Sequence, residues 1–244
     1  KDVEIDTQEV PSTQDQVDLN VNVIEKPTGM LTLGAGFSSA EKVTLSFGIQ
    51  QDNVFGSGHN LGLQVSTSKF NQYYVLNTTD PYFTEDGVSR TFELYHRSSK
   101  PYVEQGGNYR MITSGLGVRF GLPFSELDRI FVGTAAERTE LVKGTNMIGR
   151  HNEMCPDLHG CVAQNMPVTA GWARDSRDSY LNPNNGKFIR LNSELGAFGD
   201  ARYTKFGGQY QQYFPITKQY TFAFNADLGF GQGLNGQRLP FYKN

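Results

Sequence analysis

No stretch of this sequence approaches the roughly 18 to 20 consecutive apolar residues that a membrane-spanning helix needs, and its mean hydropathy is −0.48. A helical membrane protein is excluded. A membrane β-barrel is not, because barrel strands hide their hydrophobicity by alternation. Charge is also scarce. Only 19% of residues are charged, and 22 basic against 25 acidic residues leave a net charge of −3. That is no basic footprint for wrapping a nucleic acid, so none is expected as a partner. Cysteine is limited to two residues, and no segment sustains the 3.6-residue periodicity of an amphipathic helix. What is plentiful is glycine, 27 of 244 residues, or about 11% against a usual share of roughly 7%.

The chain opens on Lys1-Asp2-Val3-Glu4-Ile5, without an initiator methionine or the basic, apolar and small-residue succession of a secretory signal. It closes on Arg238-Leu239-Pro240-Phe241-Tyr242-Lys243-Asn244, which reads as a cut within a loop. The expectation is a processed chain or a fragment of a longer protein.

Two short alternating runs, Val3 to Val10 and Gln16 to Lys26, flank Pro11-Ser12 and end at Pro27-Thr28-Gly29. They predict a hairpin from a small soluble domain. From Gly29 onward the pattern becomes a series of strands of about ten residues, separated by loops rich in Gly, Asn, Asp, Ser and Pro. Val43, Leu45, Phe47 and Ile49 alternate with Thr44, Ser46, Gly48 and Gln50. The same alternation runs through Ile112 to Phe120, Ile189 to Leu195 and Tyr220 to Phe230, with Arg119, Arg190, Glu194 and Asp227 opposite the apolar residues. Eleven strands are expected, at 30–39, 42–52, 60–69, 72–79, 88–98, 109–121, 129–142, 166–175, 187–197, 203–214 and 219–230. Their lengths match the roughly 9 to 11 residues of a tilted strand crossing a bilayer, whereas strands in soluble sheets average about 5 to 6. Short turns at Asp86-Gly87 and Pro215-Ile216-Thr217-Lys218 are expected on the periplasmic side, and a long loop, 143–165, outside. Single-chain bacterial barrels have an even number of strands, so eleven implies that strands are missing.

Three turns carry more than this pattern. The first is Gln51-Asp52-Asn53-Val54-Phe55-Gly56-Ser57-Gly58, where asparagine and glycine supply positive φ. The second, Thr79-Asp80-Pro81-Tyr82-Phe83-Thr84-Glu85-Asp86-Gly87-Val88-Ser89, ends one strand on proline and starts the next with Asp-Gly. The third runs from Trp172-Ala173-Arg174-Asp175-Ser176-Arg177-Asp178-Ser179-Tyr180 through Leu181-Asn182-Pro183-Asn184-Asn185-Gly186.

In this order and spacing the three turns resemble the BamA family of outer-membrane protein assembly insertases, within the surface-antigen barrel superfamily. The resemblance runs over the whole chain, from the closing strands of a last periplasmic POTRA domain, through Pro27-Thr28-Gly29 at the barrel entry, to Leu239-Pro240-Phe241-Tyr242. It implies an all-β fold: an antiparallel transmembrane β-barrel, here the first eleven of sixteen strands, preceded by a fragment of a periplasmic POTRA domain. Residues 1–27 would be the C-terminal strands of the last POTRA domain. Residues 28–244 would be the N-terminal portion of the barrel, ending in the sixth extracellular loop before that loop's Val-Arg-Gly-Phe motif. The implied location is the outer membrane of a Gram-negative bacterium. The implied partners are unfolded outer-membrane barrel clients, accessory outer-membrane lipoproteins of the assembly complex, and the lipid bilayer.

In that family the first and last barrel strands pair weakly. The corresponding strand here is Met30, Leu31, Thr32, Leu33, Gly34, Ala35, Gly36 and Phe37. Its two glycines reduce side-chain packing, and its backbone is the expected acceptor of a client strand by β-augmentation. This would proceed without ATP. A passive pore or a protein secretion transporter on the same scaffold is the alternative, for which Arg119, Arg190, Glu194 and Asp227 would suit an aqueous lumen. A structural or adhesive surface barrel, using the 143–165 loop, is a third.

Other features are weaker. Asp175 and Asp178 have the types of a catalytic carboxylate pair, but no nucleophile accompanies them. A structural role for Arg177 between the two is expected, and no enzyme. Asp52, Asn53, Gly56, Gly58, Pro81, Tyr82, Phe83, Asp86, Gly87, Pro183 and Gly186 are expected to shape turns. Gly231-Gln232-Gly233-Leu234-Asn235-Gly236 has a dinucleotide-binding spacing without the helix that must follow, so no cofactor is expected. Cys155 and Cys161 sit in the long loop with His151 and His159 nearby. A local disulfide is the first reading for a cell-surface loop, and zinc held by two Cys and two His the alternative, at irregular spacing. No metal is expected.

Overall fold

The computed structural model describes residues 2–9, 17–24, 27–39, 41–100, 107–147, 160–217 and 219–243. Among these residues the chain forms thirteen strands and two short 3-10 turns, with no α-helix. Strands β1 (Asp2–Glu9) and β2 (Val17–Ile24) pair with each other as a hairpin. The other eleven form one antiparallel meander in which every strand pairs with its sequence neighbours. They are β3 (Gly29–Ser38), β4 (Lys42–Gln51), β5 (Asn60–Thr67), β6 (Asn71–Asp80), β7 (Ser89–Ser99), β8 (Gly107–Pro123), β9 (Asp128–Met147), β10 (Gly160–Asp175), β11 (Gly186–Gly199), β12 (Tyr203–Pro215) and β13 (Thr221–Gly233). Strands β3 and β13 are its two edges.

Period-two alternation gives this sheet two chemically different faces. One register row reads Leu33, Phe47, Val65 and Tyr74 across β3 to β6. Another reads Leu122, Ile130, Trp172, Leu191, Gly208 and Leu228 across β8 to β13. On the opposite face one row reads Gly34, Ser46, Ser66, Tyr73, Arg97, Thr113 and Thr139. Segment 234–243 folds back on that second face, which is therefore the inner one. Very few large apolar side chains are buried among the described residues: Val75 and Leu141 are at most 4% exposed, while Leu33, Leu94, Leu228 and Phe230 are more than half exposed. The apolar outer face therefore needs an apolar solvent around it.

All eleven sheet strands lie where alternation places them, with shifted ends. β10 begins at Gly160 rather than 166, and β9 runs on to Met147. Pro167 has no N–H to give, so pairing breaks at Met166/Pro167 in a bulge and resumes beyond it. The 143–165 loop thereby shrinks to 148–159, outside the described residues. The β12–β13 turn closes at Tyr220, whose carbonyl accepts the N–H groups of Ile216 and Thr217 at 3.0 and 3.1 Å. Trp172 to Asp175 are strand, as the expected strand 166–175 has them, and the turn itself begins at Ser176. The Asp86-Gly87 and 215–218 turns fall at one end of the sheet and the β9–β10 connection at the other, as expected, but connection length does not follow the ends throughout. Residues 52–59, 81–88 and 176–185 connect strands at one end, whereas 39–41, 68–70 and 200–202 are tighter connections at the other. Those three longer turns are held by internal hydrogen bonds, so their length does not mark the outside.

Candidate functional site

The chain enters the sheet through β3, and every residue of β3 is exposed. Leu31, Leu33 and Phe37 are 62%, 73% and 77% exposed on the outer face. Met30, Thr32, Gly34 and Gly36 share the inner face. Ala35 sits between them in the outer row, opposite Leu45. The pairing of β3 with β4 is continuous over ten positions without a register shift, and no strand pairs with its other side among the described residues. Exposed edges are usually blunted by charge, proline or a bulge. From Gly29 to Ser38 none of these occurs. The other edge, β13, carries an inward aspartate, Asp227.

The three turns at the end where β3 begins are shaped as their residue types require. Asn53 and Phe55 lie at φ 55° and 51°, Gly56 and Gly58 at 78° and 77°. Asn53 Oδ1 accepts the Gly58 N–H at 2.7 Å, and the Asp52 N–H donates to the Thr28 carbonyl at 2.8 Å, tying the barrel entry to the turn. In the second turn the Pro81–Tyr82 step is held by Asp80 Oδ1, which accepts the Tyr82 N–H at 3.2 Å. The Phe83 N–H donates to the Val88 carbonyl at 2.9 Å. Gly87, after Asp86, adopts φ 80°.

The third turn corrects the expected placement of Arg177 between two carboxylates. Its guanidinium forks onto Asp175 alone, Nε to Oδ1 at 2.9 Å and Nη2 to Oδ2 at 2.7 Å. It also stacks between Tyr180 and Phe188, 5.3 and 5.0 Å from their ring centres. Asp178 Oδ1 instead accepts the N–H groups of Asn184 and Asn185 at 2.9 and 3.2 Å. Those bonds hold its carboxyl below the usual carboxylate range. Pro183 is half-buried at the turn's bend. Gly186 has φ 101°, and a side chain there would collide with the Ser176 carbonyl. Each carboxylate is thus committed to the turn, which leaves no free acid–base pair.

A cluster that sequence reading missed lies on the inner face. Lys243 Nζ lies 2.7 Å from Glu137 Oε2 on β9 and 2.8 Å from Glu194 Oε1 on β11. Tyr95 on β7 donates to Glu137 at 2.6 Å, and Tyr203 on β12 to Glu194 at 2.5 Å. Lys205 Nζ donates to the Lys243 carbonyl. Burial alone would lower the Lys243 ammonium, but the hydrogen bond and charge of Glu137, with Glu194, more than offset it and raise its pKa. Tyr203, beneath the segment, and Pro240, within it, are fully buried. Glu137 and Glu194 were visible as polar positions in alternating strands, but no sequence signal pairs them with a lysine more than forty residues away. On the inner face of β3 to β6, by contrast, the charged residue is Lys42 at the β3–β4 turn, and the rest is Ser, Thr, Gln, Asn, Gly, Met, Val and Tyr.

Cys161 is the second residue of β10 and carries no free thiol. Cys155, His151 and His159 lie outside the described residues, so the local disulfide and the zinc alternative both fall there. Gly231 to Gly236 end β13 and turn through Asn235 and Gly236, at φ 54° and 78°.

Residues 53–244 match the model of the Omp85 superfamily domain. The outer membrane protein assembly factor BamA of Neisseria meningitidis serogroup B is 31% identical over 255 aligned positions, covering 99% of this chain and 32% of that protein. BamA of Nitratidesulfovibrio vulgaris is 26% identical, over 89% of this chain and 27% of its own length. The chain therefore spans about a third or less of the curated relatives that it matches here. The crystal structure of BamA from Haemophilus ducreyi lacking POTRA domains 1–3 superposes with a TM-score of 0.81 at 24% identity, over 100% of this chain and 48% of that one. That likeness shows the fold, with the eleven-stranded sheet as barrel wall. The chain belongs to the Omp85 superfamily.

Proposed function

We propose that this chain is the leading part of a β-barrel in the outer membrane of a Gram-negative bacterium, and that the barrel inserts and assembles other barrel proteins there. The observation that carries the reading is the β3 edge. It is ten residues long, unblunted and unpaired on one side among the described residues. In hydrocarbon each unpaired backbone group costs several kcal/mol, so such an edge is driven to accept another strand. Main-chain hydrogen bonds read no side chains, which suits a device serving many clients. Even at about 1 kcal/mol per bond, pairing along ten residues amounts to several kcal/mol. Pairing and burial thus supply the driving force, and neither ATP nor an enzymatic step is needed.

The family relatives named as assembly factors support this reading. Segment 234–243, lying on the inner face, weighs against a passive pore. Residues 1–27 are read as strands of a preceding POTRA domain. Ile5, Val17, Leu19, Val21 and Val23 share one exposed face of the β1–β2 hairpin, while Glu4, Asp6, Asp18, Asn20 and Asn22 share the other, as expected of a sheet whose core lies outside these two strands. Accessory outer-membrane lipoproteins are the expected additional partners.

Single cysteines at Thr32 or Gly34 of the intact protein should cross-link to a client barrel stalled during assembly. Cross-links confined to central positions such as Thr113 on β8, with none at β3, would sink the templating mechanism.

A further inference from the structure

Charge on the outer face gathers near the ends of the strands, and at the end bearing turns 81–88 and 176–185 it takes one repeated form. Arg90 lies on the outer row of β7, opposite Asp80 and Phe120. Toward the middle of the wall the next outer residues are Phe92 and Leu94. On the other side lies turn 81–88. Arg90 therefore sits at the boundary between the apolar band and the polar rim. Its guanidinium carbon is 4.0 Å from the Phe83 ring centre and 5.2 Å from that of Phe92, and Phe83 packs on Phe120 at 6.0 Å.

The polar side of Arg90 is incompletely matched. Asp80 is 3.7 Å away, beyond the roughly 2.7–2.9 Å of a charge-assisted hydrogen bond. Asp80 also faces His59 at 3.6 Å and accepts the Tyr82 N–H. Arg90 Nε is buried and has no hydrogen-bond partner, while the side chain as a whole is 29% exposed. Arg174 repeats the arrangement on β10. It is outer-facing beside Trp172, it lies 3.8 Å from Asp128, and its Nε likewise has no partner. Arg177, in the turn after β10, shows the contrast: its Nε and Nη2 both donate to Asp175.

We propose that Arg90, with Arg174 as a second site of the same design, binds the phosphodiester of a phospholipid headgroup in the leaflet at this end of the barrel. The guanidinium fork matches phosphate oxygens bidentately. Phe83 and Phe92 fix its plane, and they extend the contact toward the acyl chains. A soluble phosphate ion offers the same oxyanion but no chains for that apolar flank. The inference rests on the membrane-barrel reading above.

The test uses the intact protein, reconstituted with phosphatidylethanolamine, transferred to neutral detergent and weighed by native mass spectrometry. The species carrying two phospholipids should give way to one carrying a single phospholipid in Arg90→Gln, the Arg174 site remaining, and Asp80→Asn, which removes the competing carboxylate, should raise retention. Diacylglycerol with the same chains should not be retained, and millimolar inorganic phosphate should not displace the phospholipid. Unchanged retention in Arg90→Gln, a fall in Asp80→Asn, equal retention of diacylglycerol, or displacement by inorganic phosphate each overturns the site. Because the two substitutions move retention in opposite directions, misfolding of one cannot imitate the result. A protein that fails to float with vesicles overturns the membrane reading itself, whereas one that floats without retaining phospholipid overturns the site alone.

Discussion

Asp178 shows how much a single exposed carboxylate can organise. Two backbone N–H groups converge on its Oδ1, and they hold its carboxyl below the usual carboxylate range. A carboxylate with a depressed folded-state pKa contributes stability above its unfolded pKa, and that contribution is lost as pH falls through the folded value. The urea midpoints of the wild type and Asp178→Asn should therefore differ by a constant amount above about pH 5 and converge below the ordinary carboxylate pKa. A gap that persists undiminished at pH 2 would mean that the charge is not what holds the turn. The residue types of this turn were legible in the sequence; which carboxylate takes Arg177 was not. Asp175 and Asp178 flank Arg177 almost symmetrically in the chain, and only the fold brings Tyr180 and Phe188 around its guanidinium so that the fork faces Asp175.

At the scale of the element, β3 is the informative strand because it lacks every usual protection of an edge. Gly36 has nothing within 4 Å of where a side chain would begin. Gly36→Lys should therefore fold as the wild type does, judged by the heat-modifiable mobility of the barrel on gels. It would place on the receptive edge the kind of charge that natural edges use against pairing. Client assembly should drop several-fold while the host barrel stays intact. Normal assembly by a correctly folded Gly36→Lys would remove β3 from the mechanism. Strand existence was readable from alternation throughout this sheet, since one buried or lipid-facing side imposes period two. Strand ends were not, because β9 and β10 extend by pairing with each other past the bulge at Pro167, a gain that belongs to the pair and not to either sequence.

In the whole molecule, Lys243 joins parts of the chain far apart in sequence. Its ammonium bridges β9 and β11, while Tyr95 and Tyr203 extend the network to β7 and β12. Glu137 and Lys243 side chains are only 13% and 14% exposed. Removing one partner of such a buried pair typically costs about 3–5 kcal/mol, because the other charge is left uncompensated. Lys243→Met should accordingly lower the unfolding free energy by about 3 kcal/mol and expose segment 234–243 to protease. Resistance to cleavage equal to the wild type would show that Pro240 and its surroundings hold the segment without the ion pairs. Across the barrel this cluster divides the inner wall into a charged half, covered by the chain's own segment, and a nearly neutral half that runs up to the β3 edge.

Alternation, glycine content and turn chemistry were sufficient by themselves to determine an all-β chain with eleven long antiparallel strands and an apolar outer face. These are local properties, repeated every two residues or confined to one turn, so they survive without knowledge of what lies across space. Tertiary structure alone decided which carboxylate holds Arg177, where Lys243 lands, and that Arg90 and Arg174 face outward, each with a buried Nε that has no hydrogen-bond partner. Each of these depends on the register between strands and on contacts spanning tens of residues. Such contacts become favourable only when the sheet is assembled, and no periodicity along the chain encodes them.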